Sequence, residues 1–206
     1  EDKECIKDEA AESWLKEGLR LQNLGYYQAA ADSYREAINQ KSNYLDAYYN
    51  MGIAYGSLQD AGLNKINSAI GAFKEALRIN PKFHHAHIAL GASYIKQNEF
   101  QEAMEVLIQA LDIQPDNPQV HYYLGIAYRM SSRFSDAAHS FKMAVQLNPS
   151  SAEWHYNLAL VYFDTMQYHE SCQSLQETIS LKPSFAEGHY MLGIIYNEHI
   201  PDPEKS

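Results

Sequence analysis

Residues 121–128 read His-Tyr-Tyr-Leu-Gly-Ile-Ala-Tyr, and similar octets stand at 155–162 (His-Tyr-Asn-Leu-Ala-Leu-Val-Tyr) and 189–196 (His-Tyr-Met-Leu-Gly-Ile-Ile-Tyr). The small residue at the fifth place of the octet returns along the whole chain, at Gly18, Gly52, Gly91, Gly125, Ala159 and Gly193. The steps are 34 residues, except for one of 39. A repeat of this period indicates a stacked array, in which each unit buries its apolar face on the next.

The octet fits one face of a helix. Large residues recur four and one residues before the small residue and three after it, which is a single stripe at about 100° per residue. A second apolar stripe follows at 12, 16 and 19 residues after the small residue, as in Ala103, Leu107 and Ala110. Prolines then stand 24 residues after it, at Pro115, Pro149 and Pro183, where they end a helix. The sequence therefore predicts two helices per repeat, eleven helices in all and no strands.

This pattern resembles the tetratricopeptide repeat over residues 11–198, nearly the whole chain. The resemblance implies an all-α fold, a right-handed α-solenoid of stacked antiparallel helix pairs with about 5.5 units. We place the units at 11–44, 45–83, 84–117, 118–151 and 152–185, followed by a half unit at 186–198. A charged segment, 1–10, precedes the array, and a polar tail, 199–206, follows it. We expect the five extra residues of the second unit in the turn between its helices, within residues 59–67.

Composition limits the partners and the compartment. The formal net charge is −10, which argues against binding to nucleic acid or to an anionic membrane. No apolar run is long enough for a membrane helix, and we expect no disulfide between Cys5 and Cys172, which lie near opposite ends of the chain. A cytoplasmic location is favoured. The first residue is Glu1, so a removed leader, and with it a periplasmic or secreted location, stays open.

In the tetratricopeptide family the first helices line a concave groove that holds peptides or helices. By this resemblance, the residues three before the small residue face a ligand, and tyrosine suits such a surface because it joins an apolar ring to a polar tip. Residues at the rim of the same face complete the candidate site. The predicted partner-binding residues are Tyr49, Tyr122, Tyr156, Tyr190, Ile88, Asp46, Arg129, Phe163 and Asp164.

The rim of this groove is mostly acidic. Glu12, Asp46, Glu153 and Glu187 all stand six residues before the small residue of their repeats. We therefore expect a protein or peptide partner that is apolar and has basic flanks. The carboxylate clamp of Hsp70 and Hsp90 co-chaperones is missing, because no repeat carries its lysines three or six residues before the small residue. The sequence thus argues against that role.

The sequence indicates neither a metal site nor a catalytic site. The nine histidines include His84, His85 and His87, but a firm metal site needs three or four converging ligands. His87 occupies the stripe position that Trp14 and Tyr48 hold in other repeats, so packing is favoured over metal binding. Neither a phosphate-binding loop nor a nucleophile–histidine pattern is found. We predict no enzyme activity, no metal and no cofactor.

Two functions remain open. The first is a non-catalytic adaptor that holds a segment of another protein in its groove. The alternative is a structural or assembly segment of a longer protein of a secretion, envelope or enzyme complex, or a chain that self-associates through its last helix. Ile194, Ile195 and Tyr196 run directly into Ile200-Pro-Asp-Pro-Glu without a polar covering helix, so we expect an uncapped edge there.

Overall fold

The computed structural model describes residues 2–58 and 62–199, with side chains from Ile6 onward. Two compact units divide the chain, residues 1–113 and residues 114–206. Within the described residues there are eleven helices and no strands, as the repeat pattern predicts. The predicted Ile200-Pro-Asp-Pro-Glu edge, like most of the tail at 199–206, lies outside the described residues.

Unit 1 contains three helix pairs. Its helices are α1 (Asp2–Asn23), α2 (Tyr27–Gln40), α3 (Leu45–Gly56), α4 (Leu63–Ile79), α5 (His84–Lys96) and α6 (Phe100–Ile113). Each helix packs against the next one in sequence, and the first helices α1, α3 and α5 also contact each other in order. Helix α1 includes nearly all of the charged segment 1–10, so the first helix is much longer than one repeat requires.

Unit 2 contains two pairs and a single final helix. Its helices are α7 (Pro118–Met130), α8 (Phe134–Leu147), α9 (Ala152–Asp164), α10 (Tyr168–Leu181) and α11 (Ala186–Glu198). Helix α7 contacts α9 as well as α8, so the first helices lie side by side. One core cluster is centred on Phe141, Leu158 and Val161, and a second joins Leu175 to Ile195.

In four repeats the small residue, a glycine at 18, 52, 91 and 125, marks a close contact between paired helices. A Cβ atom at Gly52 would lie 2.5 Å from Cε1 of Phe73, and one at Gly125 would lie 2.6 Å from Cδ1 of Phe141. Both rings stand on the second helix of the same pair and are almost completely buried. Such distances are far below van der Waals contact, so only glycine lets these rings seat on the first helix.

The turns inside the helix pairs share one backbone feature. Gly25, Asn98, Ser132 and Met166 all stand seven residues after the small residue, and all have φ between 58° and 82°. This left-handed conformation reverses the chain and suits glycine best. Asn98 occupies this turn position two residues before α6 begins.

The five extra residues of the second unit do not all lie in a turn. Helix α4 has 17 residues, whereas the other second helices have 14. It begins at Leu63, so residues 63–67 of the expected loop are helical. Residues 59–61 lie outside the described part of the chain. The insertion thus adds nearly one turn to the second helix.

Four first helices begin with a hydrogen bond between a histidine and a proline of the preceding turn. Nε2 of His87, His121, His155 and His189 lies 2.9, 3.1, 3.0 and 2.9 Å from the carbonyl oxygen of the proline six residues earlier. Since a carbonyl only accepts, Nε2 carries the proton and donates. Tyr48, at the same repeat position, has Ser42 six residues before it in place of proline. The histidines therefore both pack and tie each first helix to the turn before it.

Candidate functional site

The predicted tyrosines of unit 2 differ in how far they reach solvent. They share one repeat position on α7, α9 and α11, yet Tyr122 is 8% exposed, Tyr156 is half-buried and Tyr190 is 71% exposed. Helical periodicity gave these side chains one direction, but their neighbours set the exposure. Only Tyr156 and Tyr190 are therefore open to a ligand.

Tyr122 is a core residue. Its ring stacks on Trp154 with centroids 5.4 Å apart and packs on Phe141 at 5.9 Å. Its hydroxyl donates a hydrogen bond of 2.6 Å to Oε1 of Glu153. Burial, followed by this carboxylate, raises the pKa of Tyr122 far above its ordinary value. Tyr122 therefore joins α7 to α9 and orients Glu153, and its own ring has little surface left for a partner.

Tyr156 lies at the edge of a cleft of about 570 Å³, which we call the unit 2 cleft. Its ring packs on Phe185, the residue before α11, with centroids 5.0 Å apart. The cleft is lined by Ser150, Ala152, Glu153, Tyr156, Asn157, Leu181, Lys182, Phe185 and Glu187. It thus combines two aromatic rings with two carboxylates from successive first helices, which is the mixture of apolar floor and polar edge typical of ligand sites.

Charges on both sides act on Tyr156. Burial raises the pKa of its hydroxyl, the negative charge of Glu187 raises that pKa further, and the positive charge of Arg129 opposes the rise. Glu153 and Glu187 both stand in the first turn of their helices, where a carboxylate offsets the positive end of the helix dipole. The cleft is therefore acidic on the side that Glu187 occupies.

Arg129, Asp164 and Phe163 lie at the opposite ends of the same first helices. Arg129 Nε donates to Oδ2 of Asp164 at 2.7 Å, which joins the ends of α7 and α9. Phe163 packs edge-on against Tyr168 and His199, each at 5.8 Å. These three predicted site residues thus make intramolecular contacts, and Phe163 is partly covered by the residue that follows α11.

In unit 1 the predicted partner-binding residues Tyr49 and Ile88 are largely covered by their neighbours. Tyr49 is half-buried, with ring centroids 5.0 Å from Phe83, 6.0 Å from Phe73 and 6.4 Å from His85. Ile88 is 7% exposed and belongs to the core, although we expected it to face a ligand. Asp46 is exposed in the first turn of α3, where the sequence placed the rim.

Sequence reasoning missed the phenylalanines that pack on the rings of Tyr49 and Tyr156. Phe83 contacts Tyr49, and Phe185 contacts Tyr156. Both phenylalanines stand eight residues before the small residue of the following repeat, just outside the helix. An aromatic residue recurs at this position in the sequence, since Tyr44 also stands eight residues before a small residue. The position lies in a turn, so a search for helical stripes does not find it.

The histidines are spread over residues 84–199, with a run at His84, His85 and His87. Within the described residues, no group of three or more His, Cys, Asp or Glu side chains is placed to hold a metal ion. Nε2 of His84 and Nδ1 of His87 are buried without a hydrogen-bond partner, and burial lowers the pKa of His84. Cys172 is a free, buried thiol, whereas the side chain of Cys5 lies outside the described part.

Sequence comparison agrees with the observed helix pairs. Three models described as tetratricopeptide repeat match residues 11–44, 60–125 and 122–184, which together cover most of the chain. The chain belongs to the tetratricopeptide repeat family. A curated relative, the tetratricopeptide repeat and J domain-containing co-chaperone DNJ1 of Cryptococcus neoformans, is 36% identical over 84 residues. That match covers 41% of this chain and 15% of the relative, so this chain spans a small part of the relative's length.

Solved structures share the fold at low identity. MamA (41-end) from Desulfovibrio magneticus RS-1 matches with a TM-score of 0.77 and 21% identity, covering 86% of this chain and 97% of that one. PilF of Pseudomonas aeruginosa matches with a TM-score of 0.77 and 18% identity, covering 91% and 83%. YrrB, titled a TPR protein with an unusual peptide-binding site, matches with a TM-score of 0.70 and 18% identity, covering 86% and 89%. The predicted all-α tetratricopeptide fold is confirmed.

Among the helices of the described residues, none is both long enough and apolar enough to cross a bilayer. The longest, α1, has 22 residues but is strongly charged.

Proposed function

We propose that this tetratricopeptide repeat protein is a non-catalytic scaffold that holds a segment of another protein against the first helices of unit 2. The observation that carries this proposal is the cleft beside the half-buried ring of Tyr156, which is edged by Glu153 and Glu187. Tyr190, at the same repeat position on α11, adds a ring that is 71% exposed. Exposed apolar surface with a polar edge often marks a protein-binding site. The family, and a structural neighbour titled as having a peptide-binding site, support the same reading.

The partner segment should be apolar with basic flanks. The rings of Tyr156 and Phe185 would contact apolar side chains, and the carboxylates beside them would attract positive charge. The chain's net charge of −10 would also speed the approach of a basic partner. The co-chaperone role in the name of the curated relative does not extend to a carboxylate clamp here, since the clamp lysines are absent from the sequence.

Self-association through the last helix is the weaker alternative. Ile195 is completely buried with Ala159 and Leu175, so it stabilises unit 2 and offers no surface to a second copy. Tyr190 and Tyr196 are the large exposed residues of α11. Light scattering of the wild type and of Tyr196→Glu checks this alternative directly, because a dimer formed through that face would dissociate in the variant.

The scaffold proposal is tested by affinity capture with quantitative mass spectrometry. The wild-type chain, the double variant Tyr156→Ala/Tyr190→Ala and the control Tyr26→Ala are immobilised at equal density and exposed to the same lysate. Tyr26 is exposed in the turn before α2. Its replacement by alanine therefore removes an exposed tyrosine ring at a place outside the proposed surface. We expect partners retained by the wild type and the control to fall roughly tenfold or more in the double variant. Equal retention by all three chains, with helical circular dichroism unchanged, would reject this surface.

A further inference from the structure

A second cleft, in unit 1, occupies the same repeat positions as the unit 2 cleft. It has a volume of about 530 Å³ and is lined by Asp8, Glu9, Glu12, Lys41 and Tyr44. Four of its residues have repeat equivalents in the unit 2 cleft: Glu9 corresponds to Ser150, Glu12 to Glu153, Lys41 to Lys182 and Tyr44 to Phe185. The two units thus build one kind of cleft from the same places in the repeat.

In the unit 1 cleft, the ammonium group of Lys41 pairs with both an aromatic ring and a carboxylate. Nζ of Lys41 lies 5.6 Å from the centroid of the Tyr44 ring and 3.0 Å from Oδ1 of Asp8. The ammonium is therefore placed between an aromatic face and a carboxylate, which is a favourable cation–π and ion-pair arrangement. The chain's own lysine thus shows that an aromatic ring and a carboxylate at these repeat positions can pair with one cation.

The unit 2 cleft has the ring and the carboxylates without that ion pair. Nζ of Lys182 lies 5.4 Å from the centroid of Phe185, but Pro149 replaces Asp8 at the equivalent position. Among the described residues, Lys182 forms no ion pair, and neither do Glu153 and Glu187. Two carboxylates and one ammonium leave a net negative charge in the cleft, which one further cation would neutralise.

We propose that the unit 2 cleft binds an arginine side chain of the partner segment, with its guanidinium against Phe185 and Tyr156 and directed at Glu187 and Glu153. Arginine fits because its planar guanidinium stacks on aromatic rings and pairs with carboxylates through several N–H groups. Glu153 remains able to accept, because the Tyr122 hydroxyl contacts only Oε1. This inference rests on the proposed scaffold function and specifies the residue that unit 2 recognises.

A random dodecapeptide library, displayed on messenger RNA and selected on the immobilised 206-residue chain, tests the inference. We expect arginine to be enriched among the retained peptides relative to the input library. For the most enriched peptide, exchange of its arginine for glutamine should weaken binding roughly tenfold or more, and exchange for lysine should weaken it less. Retained peptides without arginine enrichment, or with enrichment of acidic residues, overturn the proposal.

Matched variants separate this site from general attraction between charges. Glu187→Gln should weaken binding of the selected peptide several-fold, whereas Glu170→Gln, at the opposite end of the α9–α10 pair, should leave it within a factor of two. Lys182→Met should strengthen binding, because it removes the competing internal cation, and Lys142→Met on α8 is the control with the same charge change. Weaker binding by Lys182→Met would overturn the proposal, since it would mean that Lys182 meets an anionic group.

The same experiment distinguishes failure of this inference from failure of the scaffold function. Peptides that depend on Tyr156 but contain no preferred arginine reject the arginine site and leave the scaffold surface intact. A library from which the chain retains no peptide rejects both.

Discussion

The position three residues before the small residue is closed in unit 1 but becomes progressively more exposed along unit 2. In unit 1, Tyr49 lies among Phe73, Phe83 and His85, and its neighbour in the series, Ile88, is buried. In unit 2 the series opens toward the end of the chain, from buried Tyr122 to exposed Tyr190. A repeat therefore fixes the direction of a side chain, while the residues of the next repeat decide whether it is core or surface.

The largest expected effect tests this difference through stability. Tyr122→Ala should lower the free energy of unfolding by about 3–5 kcal/mol, because it empties a packed core position and leaves Glu153 without its donor. Tyr49→Ala should cost about 2 kcal/mol and Tyr190→Ala no more than about 0.5 kcal/mol. Urea unfolding followed by tryptophan fluorescence and circular dichroism measures all three. Equal losses for Tyr122 and Tyr190 would contradict the assigned burial.

The second prediction concerns alkaline pH. Burial raises the pKa of Tyr34 in unit 1 to about 12, and burial with Glu153 raises that of Tyr122 in unit 2. A raised folded-state pKa favours the protonated phenol, so stability is fully present below the unfolded value of about 10 and falls as pH rises above it. Each tyrosine should contribute a loss of up to about 1.4 kcal/mol per pH unit.

Urea midpoints at pH 8, 10 and 11, together with phenolate absorbance, measure this loss. Tyr34→Phe and Tyr122→Phe should each make stability less dependent on pH above 10. If all 16 tyrosines ionised in one step without loss of stability, the two buried phenols would be wrongly placed.

The third prediction compares one turn position in the two units. Met166 in unit 2 has φ of 60° and is 75% exposed, whereas Gly25 holds the same position in unit 1 with φ of 82°. Met166→Gly should stabilise the chain by about 0.5–1 kcal/mol, because glycine adopts this conformation without a steric cost. Gly25→Met should cost a similar amount, since a Cβ there meets no atom within 4 Å and only the backbone responds. Thermal unfolding of both variants gives the answer, and shifts of the same sign would refute it.

The smallest expected effect concerns ion pairs. A double-mutant cycle on Arg129 and Asp164, which join two helices of unit 2, should give a coupling energy of about 0.5–1 kcal/mol that falls with added salt. The more exposed pair of Glu75 and Arg78 within α4 of unit 1 should give about 0.3 kcal/mol. A larger coupling for the pair within α4 would reverse this ranking.

The helices were predictable from the sequence because the same pattern recurs in every unit, so a position that is ambiguous in one repeat is clear in the others. The paired helices and the close contact at Gly52 and Gly125 follow from spacing alone, since one register satisfies every unit. The insertion was placed less well, because α4 takes up three of its residues as helix. Nothing in a single repeat separates an extended helix from a longer turn.

The candidate site was less predictable, for a physical reason. Tyr122 and Tyr156 read alike in sequence, but Tyr122 meets Trp154 and Glu153 across the gap between first helices, while Tyr156 meets Phe185 from a turn. Such contacts join positions about 30 residues apart and depend on side-chain size in the following unit. Alignment on the small residue identifies the face, but only the packed structure identifies the cleft.

The four histidine–proline hydrogen bonds offer a way to observe the protein one joint at a time. Each bond places a single imidazole N–H proton at the start of a first helix. A hydrogen bond slows the exchange of such a proton with water, and buried His87 should keep its proton longer than the three histidines whose bonds are exposed. The order in which the four nuclear magnetic resonance signals vanish on warming would give the order in which these helix starts open, without any label added to the protein.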